Sequence, residues 1–146
     1  MAKGNYINDA LQSLFKVILE RKEGYQKASE YIEDDDLSEL FETYVKQCED
    51  FALELAPYNE KIEKNMLGKT SGISAKIWAE KKSALNSGDS REILDSCVSG
   101  EEAVLNKYVE IIEEENFPQD LYNIVDQQRE KIEQAFESIK IQLNAS

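Results

Sequence analysis

The sequence predicts an all-α single domain, a bundle of four long helices. Three observations carry the prediction. Chain breakers are sparse, with two prolines and six glycines in 146 residues. Apolar residues recur at alternating steps of four and three, which keeps one helical face inward. The balance of 41% hydrophobic to 32% charged residues suits a chain that folds in water around one core. A chain of this size buries roughly two-thirds of its unfolded surface, so one domain over residues 1–146 is expected.

The first helix is expected from about Asn5 to Glu33, with Ile7, Leu11, Leu14, Ile18, Tyr25, Ala28 and Ile32 on its seam. The acidic turn Asp34-Asp35-Asp36 ends it. Asp36 then reads as the cap of the second helix, with Glu39 completing a capping box. That helix carries the most regular stripe: Leu37, Phe41, Tyr44, Cys48, Phe51, Leu55, Tyr58 and Ile62, continuing near Met66 until Gly68. Pro57 removes a backbone donor and crowds the preceding turn, so a kink is expected between Leu53 and Pro57.

Between Lys69 and Gly88 lies a crossover with its own short stripe, Ile73, Ile77, Trp78, Ala84 and Leu85, read as a helix of three or four turns. Trp78 is expected to anchor it to the bundle. Asp89 with Glu92 opens the third long helix, whose seam is Leu94, Cys97, Glu101, Val104, Tyr108 and Ile111. The last helix is expected to start at Asn116-Phe117-Pro118, with proline at the first helical position, and to bury Leu121, Val125, Gln128, Ile132, Ala135, Ile139 and Leu143.

The crossover bears on topology. About thirteen helical residues at about 1.5 Å each and roughly seven extended ones at about 3.3 Å reach roughly 40 Å, the length of such a bundle. A long connection between the second and third helices belongs to the ferritin-like arrangement, whereas an up-down-up-down bundle needs only a short loop. The expected fold is therefore a ferritin-like four-helix bundle with a short extra helix in the crossover.

Thirty acidic against 17 basic residues give a formal charge of -13, which repels phosphate backbones and anionic lipid heads. Nucleic acid and membrane partners are not expected. No stretch approaches the roughly 20 apolar residues of a membrane span, and the N-terminal residues show no apolar signal core. Cys48 and Cys97 have no neighbouring cysteine or histidine for a zinc cluster and fall on apolar stripes, so two reduced, buried thiols are expected. The expected compartment is the cytoplasm.

One seam position is a carboxylate. With the second and third helices parallel, Cys48 and Glu101 lie at the same height, which Arg21 or Lys22 and Gln128 or Ile132 reach from the other two helices. A lone buried carboxylate is costly, so Glu101 should pair with a cation, bind a metal or stay protonated. The plainer reading is an ion pair with Arg21 or Lys22, set beside exposure of Glu101 by helix rotation. The sharper reading is an all-oxygen site for a divalent ion, drawn from Glu101, Glu49, Glu23 and Glu20. A di-iron site would need Glu-x-x-His pairs, but the chain has no histidine; Ala52 follows Glu49 at that spacing and Phe136 follows Glu133. Without histidine there is also no Ser-His or Cys-His pair, and no phosphate-binding glycine spacing is present. No catalytic residue is assigned and no cofactor is expected beyond that alternative metal ion. Tyr25, Tyr44 and Tyr108 read as packing residues.

The run GKTSGISAKIWAEKKSALNSGDSREILDSCVSGEEAVLNKY resembles the central signature of a bacterial ferritin-like four-helix-bundle family known as a domain of unknown function. The segments EGYQKASE and DFALEL look like its first two helices, and the resemblance runs from about Asn8 to Leu143. Its most specific element is the tryptophan helix followed by Cys97, Gly100 and Glu101. The resemblance implies a cytoplasmic bundle of that topology without an activity to carry over. Family members commonly have a histidine just before the tryptophan and another late in the last helix; here Ala75-Lys76-Ile77 precede Trp78 and Phe136 stands near the second place.

The expected function is a non-catalytic bundle that acts through protein contacts, in a stress response or as a scaffold. Its partner is another protein or a second copy, with Phe15, Leu19 and Leu40 offered as a homodimer stripe. The alternatives are a histidine-free carboxylate protein that stores or oxidises metal, and a small-ligand carrier opening near Pro57 and Trp78.

Overall fold

The computed structural model describes residues 2–58 and 89–145. These form four α-helices, with no strand among the described residues: α1 (Ala2–Tyr31), α2 (Asp35–Leu55), α3 (Ser90–Glu114) and α4 (Gln119–Ala145). A single 3-10 turn, Ala56–Tyr58, follows α2. The expected continuation of the second helix past Tyr58 and the crossover helix with Trp78 lie outside the described residues.

The apolar stripes are the buried stripes. Leu11, Leu14, Ile18, Tyr25 and Ala28 of α1 are buried, as are Leu37, Phe41, Tyr44, Cys48, Phe51 and Leu55 of α2. On α3 the buried set includes Leu94, Cys97, Glu101, Val104, Tyr108 and Ile111, and on α4 it runs from Leu121 to Ile139. Each large apolar side chain moved from water contributes about 1.5–3 kcal/mol, so the seams together dominate the folding free energy.

These residues divide into two clusters. Leu11, Leu14, Phe51, Leu55, Tyr108 and Leu121 belong to the first. Tyr25, Ile32, Leu37, Phe41, Leu94 and Ile139 belong to the second. Chain direction follows from membership: α1 and α4 run from the first cluster to the second, whereas α2 and α3 run from the second to the first. The end of α2 and the start of α3 therefore lie at opposite ends of the bundle. Helix α1 packs against α2 and α3, and α4 packs against α3 and more sparsely against α2, which puts α2 and α3 on a diagonal.

The helix ends correct two expectations, the cap of α2 and the place of Pro118. Asp34, not Asp36, caps α2: its backbone is extended at φ -79 and ψ 115, and Oδ1 accepts the Leu37 N–H at 3.1 Å. Asp35 and Asp36 then fall in the first turn, where negative charge suits the helix dipole. Accordingly, Asp34→Ala should lower stability by about 1 kcal/mol and Asp36→Ala by much less, as read by urea unfolding. At Pro57 the α-helical pattern gives way after Leu55 to the 3-10 turn Ala56–Tyr58, an irregularity where the proline is expected to disturb the helix, and the chain past Tyr58 lies outside the described residues. Pro118 stands one position before α4, where its carbonyl accepts the Tyr122 N–H at 2.8 Å. Asp89 caps α3 as expected, accepting the Glu92 N–H at 3.1 Å. Phe15 is not part of a spare surface stripe, since it is buried in the first cluster, and Leu40 packs against the second.

Candidate functional site

Arg21 and Glu101 are fully buried where the two apolar clusters meet. The i, i+4 relation aligns Arg21 with Tyr25 on one face of α1, and the α3 seam carries Glu101 to meet them. Arg21 Nε donates to Glu101 Oε1 at 2.7 Å, and its NH2 nitrogen donates to Glu101 Oε2 at 3.0 Å. Tyr25 Oη donates to the same Oε2 at 2.6 Å. The carboxylate thus accepts a two-pronged guanidinium and a phenol, the geometry in which burial of a charge is best compensated.

The guanidinium is held on its other sides as well. Its NH2 nitrogen donates to Gln47 Oε1 at 2.8 Å, and NH1 donates to Cys48 Sγ at 3.3 Å. The rings of Tyr25, Tyr44 and Phe51 lie 5.3, 5.6 and 5.7 Å from its central carbon, within the range of cation–π attraction. Tyr25 also packs on Tyr44 and Phe41, with ring centroids 5.0 and 5.6 Å apart. A second polar group lies nearer the Leu55 end of α2. Tyr108 Oη donates to Gln128 Oε1 at 2.7 Å, while Gln128 Nε2 donates to the Phe51 carbonyl at 3.2 Å and to Glu54 Oε1 at 2.9 Å.

Burial dominates the electrostatics. It works against the Arg21 charge, yet Glu101, Cys48 and Tyr25 outweigh it and hold that pKa well above the ordinary arginine value. Burial, followed by Glu101, pushes Tyr25 well up, and burial does the same to Tyr108. Both cysteines are free and buried. Burial raises Cys48 to about 11 despite the nearby Arg21 charge, and burial with Glu101 raises Cys97 well above the usual thiol range. The folded state therefore holds these protons more tightly than the unfolded chain, whose thiols titrate near pH 8.5. Stability from this source is complete below that pH and is lost as pH rises toward about 11. In the native state at neutral pH, both thiols should react with a chromogenic disulfide reagent only as fast as the bundle opens, and both should react at once in denaturant.

The four carboxylates considered as metal ligands fall in different settings. Glu101 is engaged as described, with Arg21 and not Lys22 as its cation. Lys22 instead pairs with Glu49 at 3.2 Å on the surface, where Glu49 is 48% exposed. Glu23 is half-buried and Glu20 is buried on α1. Among the described residues, no three acidic, cysteine or histidine side chains are gathered so as to hold a metal ion. A cation at Glu101 would have to share its carboxylate with the guanidinium. Of the two residues expected at this level on α4, Gln128 reaches Tyr108 and Phe51, while Ile132 packs in the first cluster.

Two partners escaped the sequence reading. Tyr25 lies on the seam, and the only sequence signal of its bond to Glu101 is its i, i+4 spacing from Arg21. Gln47 lies one residue off the α2 seam, and no periodicity marks it.

Among known families, the one described as "Domain of unknown function (DUF2383)" has a model that matches residues 6–114. That span takes in Arg21, Tyr25, Gln47, Cys48 and Glu101 and ends with α3, so α4 and Gln128 lie beyond it. The resemblance read from sequence extended further, to Leu143. No curated protein and no solved structure matches the chain. A match over most of its length means that the chain belongs to the family described as domain of unknown function (DUF2383).

Proposed function

We propose that the chain is a ferritin-like, non-catalytic bundle of the cytoplasm that acts through protein contacts, as a scaffold or in a stress response. The observation that carries this reading is the state of Glu101: both carboxylate oxygens are taken by Arg21 and Tyr25 inside the core. The conspicuous polar group of the molecule thus holds helices together instead of facing a substrate. The shared direction of α2 and α3 supports the ferritin-like topology, and the two free buried thiols fit a reducing compartment. No helix among the described residues is long and apolar enough to cross a membrane.

The test is to incubate the purified chain aerobically with ferrous and, separately, manganous ions, then desalt and measure bound metal. The reading predicts oxidation no faster than in buffer and no stoichiometric metal after desalting. Stoichiometric retention, lost in Glu101→Gln, would replace it with a carboxylate metal protein.

A further inference from the structure

Among neighbouring helices, α2 and α4 touch least. Between them runs an open groove of about 1150 Å³, lined on the α2 side from Glu39 to Glu54. At about 1.5 Å per residue this strip is roughly 22 Å long, the length of a four-turn helix and far longer than a small molecule needs. We propose that the groove is the docking surface for a basic amphipathic helix of a partner protein. This inference rests on the protein-contact reading above and names the partner's chemistry.

Charge is the first argument. Glu39, Glu42, Asp50 and Glu54 line the groove against Lys46 and Lys131, and Lys46 already leans on Asp50 at 3.7 Å. The groove is therefore net acidic within a chain of formal charge -13, which steers cationic partners toward it. A second copy would bring the same acidic strip and the same net charge, so self-association here is opposed.

The groove also carries an apolar anchor. Leu53 lines the groove with 72% of its surface exposed, the most of any large apolar residue among the described ones. Such a side chain at the end of an acidic strip suits a helix that presents leucine-like residues among lysines. A polar handle is added by Gln47, which also lines the groove. Its Oε1 accepts from Arg21, so its amide NH2 is turned away from the guanidinium. Gln47 thereby ties the docking surface to the buried ion pair.

The probe is a fluorescein-labelled lysine–leucine–alanine peptide of about five helical turns, titrated with the full chain and read by anisotropy. Its controls are the same peptide with glutamate for lysine and a scrambled order that destroys the apolar face. Wild-type chain should bind the first peptide and neither control. Leu53→Ser, which removes the apolar anchor without adding charge, should weaken binding about tenfold, and the triple change Glu39→Lys, Glu42→Lys, Asp50→Lys by at least as much. The matched change Glu102→Lys, Glu110→Lys, Glu113→Lys on the exposed face of α3 should weaken it less than about twofold once salt screens distant charge. Circular dichroism checks that each variant keeps its helices, and the exposed Leu53 site keeps the test open if the triple variant does not.

No binding by wild-type chain, equal weakening by both triple variants, or indifference to Leu53→Ser would overturn the groove assignment. Those results would leave the protein-contact reading standing. Chain-dependent metal oxidation would remove that reading independently of the peptide.

Discussion

Glu101→Leu should lower the stability of the bundle by about 3–5 kcal/mol, because it leaves the Arg21 guanidinium charged and buried with its principal partner gone. Arginine cannot escape by losing its proton, because a guanidinium stays charged at neutral pH even when burial works against it. Tyr25 would lose the acceptor of its 2.6 Å bond in the same step. For a domain of this size the thermal midpoint should fall by roughly 10 °C or more. Thermal unfolding followed by circular dichroism measures this, and a shift of a degree or two would mean that the pair contributes no more than a surface salt bridge.

Arg21→Ala should cost a similar amount, about 3–5 kcal/mol, for the complementary reason. It strands the Glu101 carboxylate and empties the space between the rings of Tyr25, Tyr44 and Phe51. That space is shaped for a planar cation, so millimolar methylguanidinium, at roughly 10 mM, should raise the melting temperature of Arg21→Ala while leaving wild type unmoved. The ion is a relative of a denaturant, so stabilisation by it is not a generic salt effect. A variant as stable as wild type, or one that methylguanidinium only weakens, would count against a cation-shaped centre.

Much of the fold was legible because it rests on periodicity. The stripes of Leu37 to Leu55, Leu94 to Ile111 and Leu121 to Ile139 are the buried faces of α2, α3 and α4. Even the shared direction of α2 and α3 followed from chain length, since a connection of that reach can join opposite ends. The boundaries were less legible. Three consecutive aspartates offer three candidate caps, and only backbone geometry selects Asp34. Likewise, a proline inside an apolar stripe marks where helical regularity fails but not its form, and the 3-10 turn at Ala56–Tyr58 depends on packing that periodicity does not encode.

The candidate site was legible to the level of a helical turn. A carboxylate on an otherwise apolar seam identified Glu101 as a group needing a partner, and the height argument narrowed that partner to Arg21 or Lys22. Adjacent residues on a helix point about 100° apart, so the rotation of α1 about its own axis decides between them. Packing of Tyr25 and Ala28 into the second cluster turns Arg21 inward and leaves Lys22 to meet Glu49 at the surface. Gln47 and Glu54 were beyond reach because side chains off the seam reach inward only through their length and rotamer.

The central claim is that Arg21 and Glu101 form a self-satisfied structural pair at the centre of the bundle. The most direct test is a double-mutant cycle by urea unfolding with Arg21→Met, Glu101→Leu and the two combined. Each single change should cost about 3–5 kcal/mol, whereas the double variant should return to within about 1 kcal/mol of wild type or exceed it, since neither charge is then stranded. Losses that simply add in the double variant would show that the two residues act independently, and the account of this centre would be wrong.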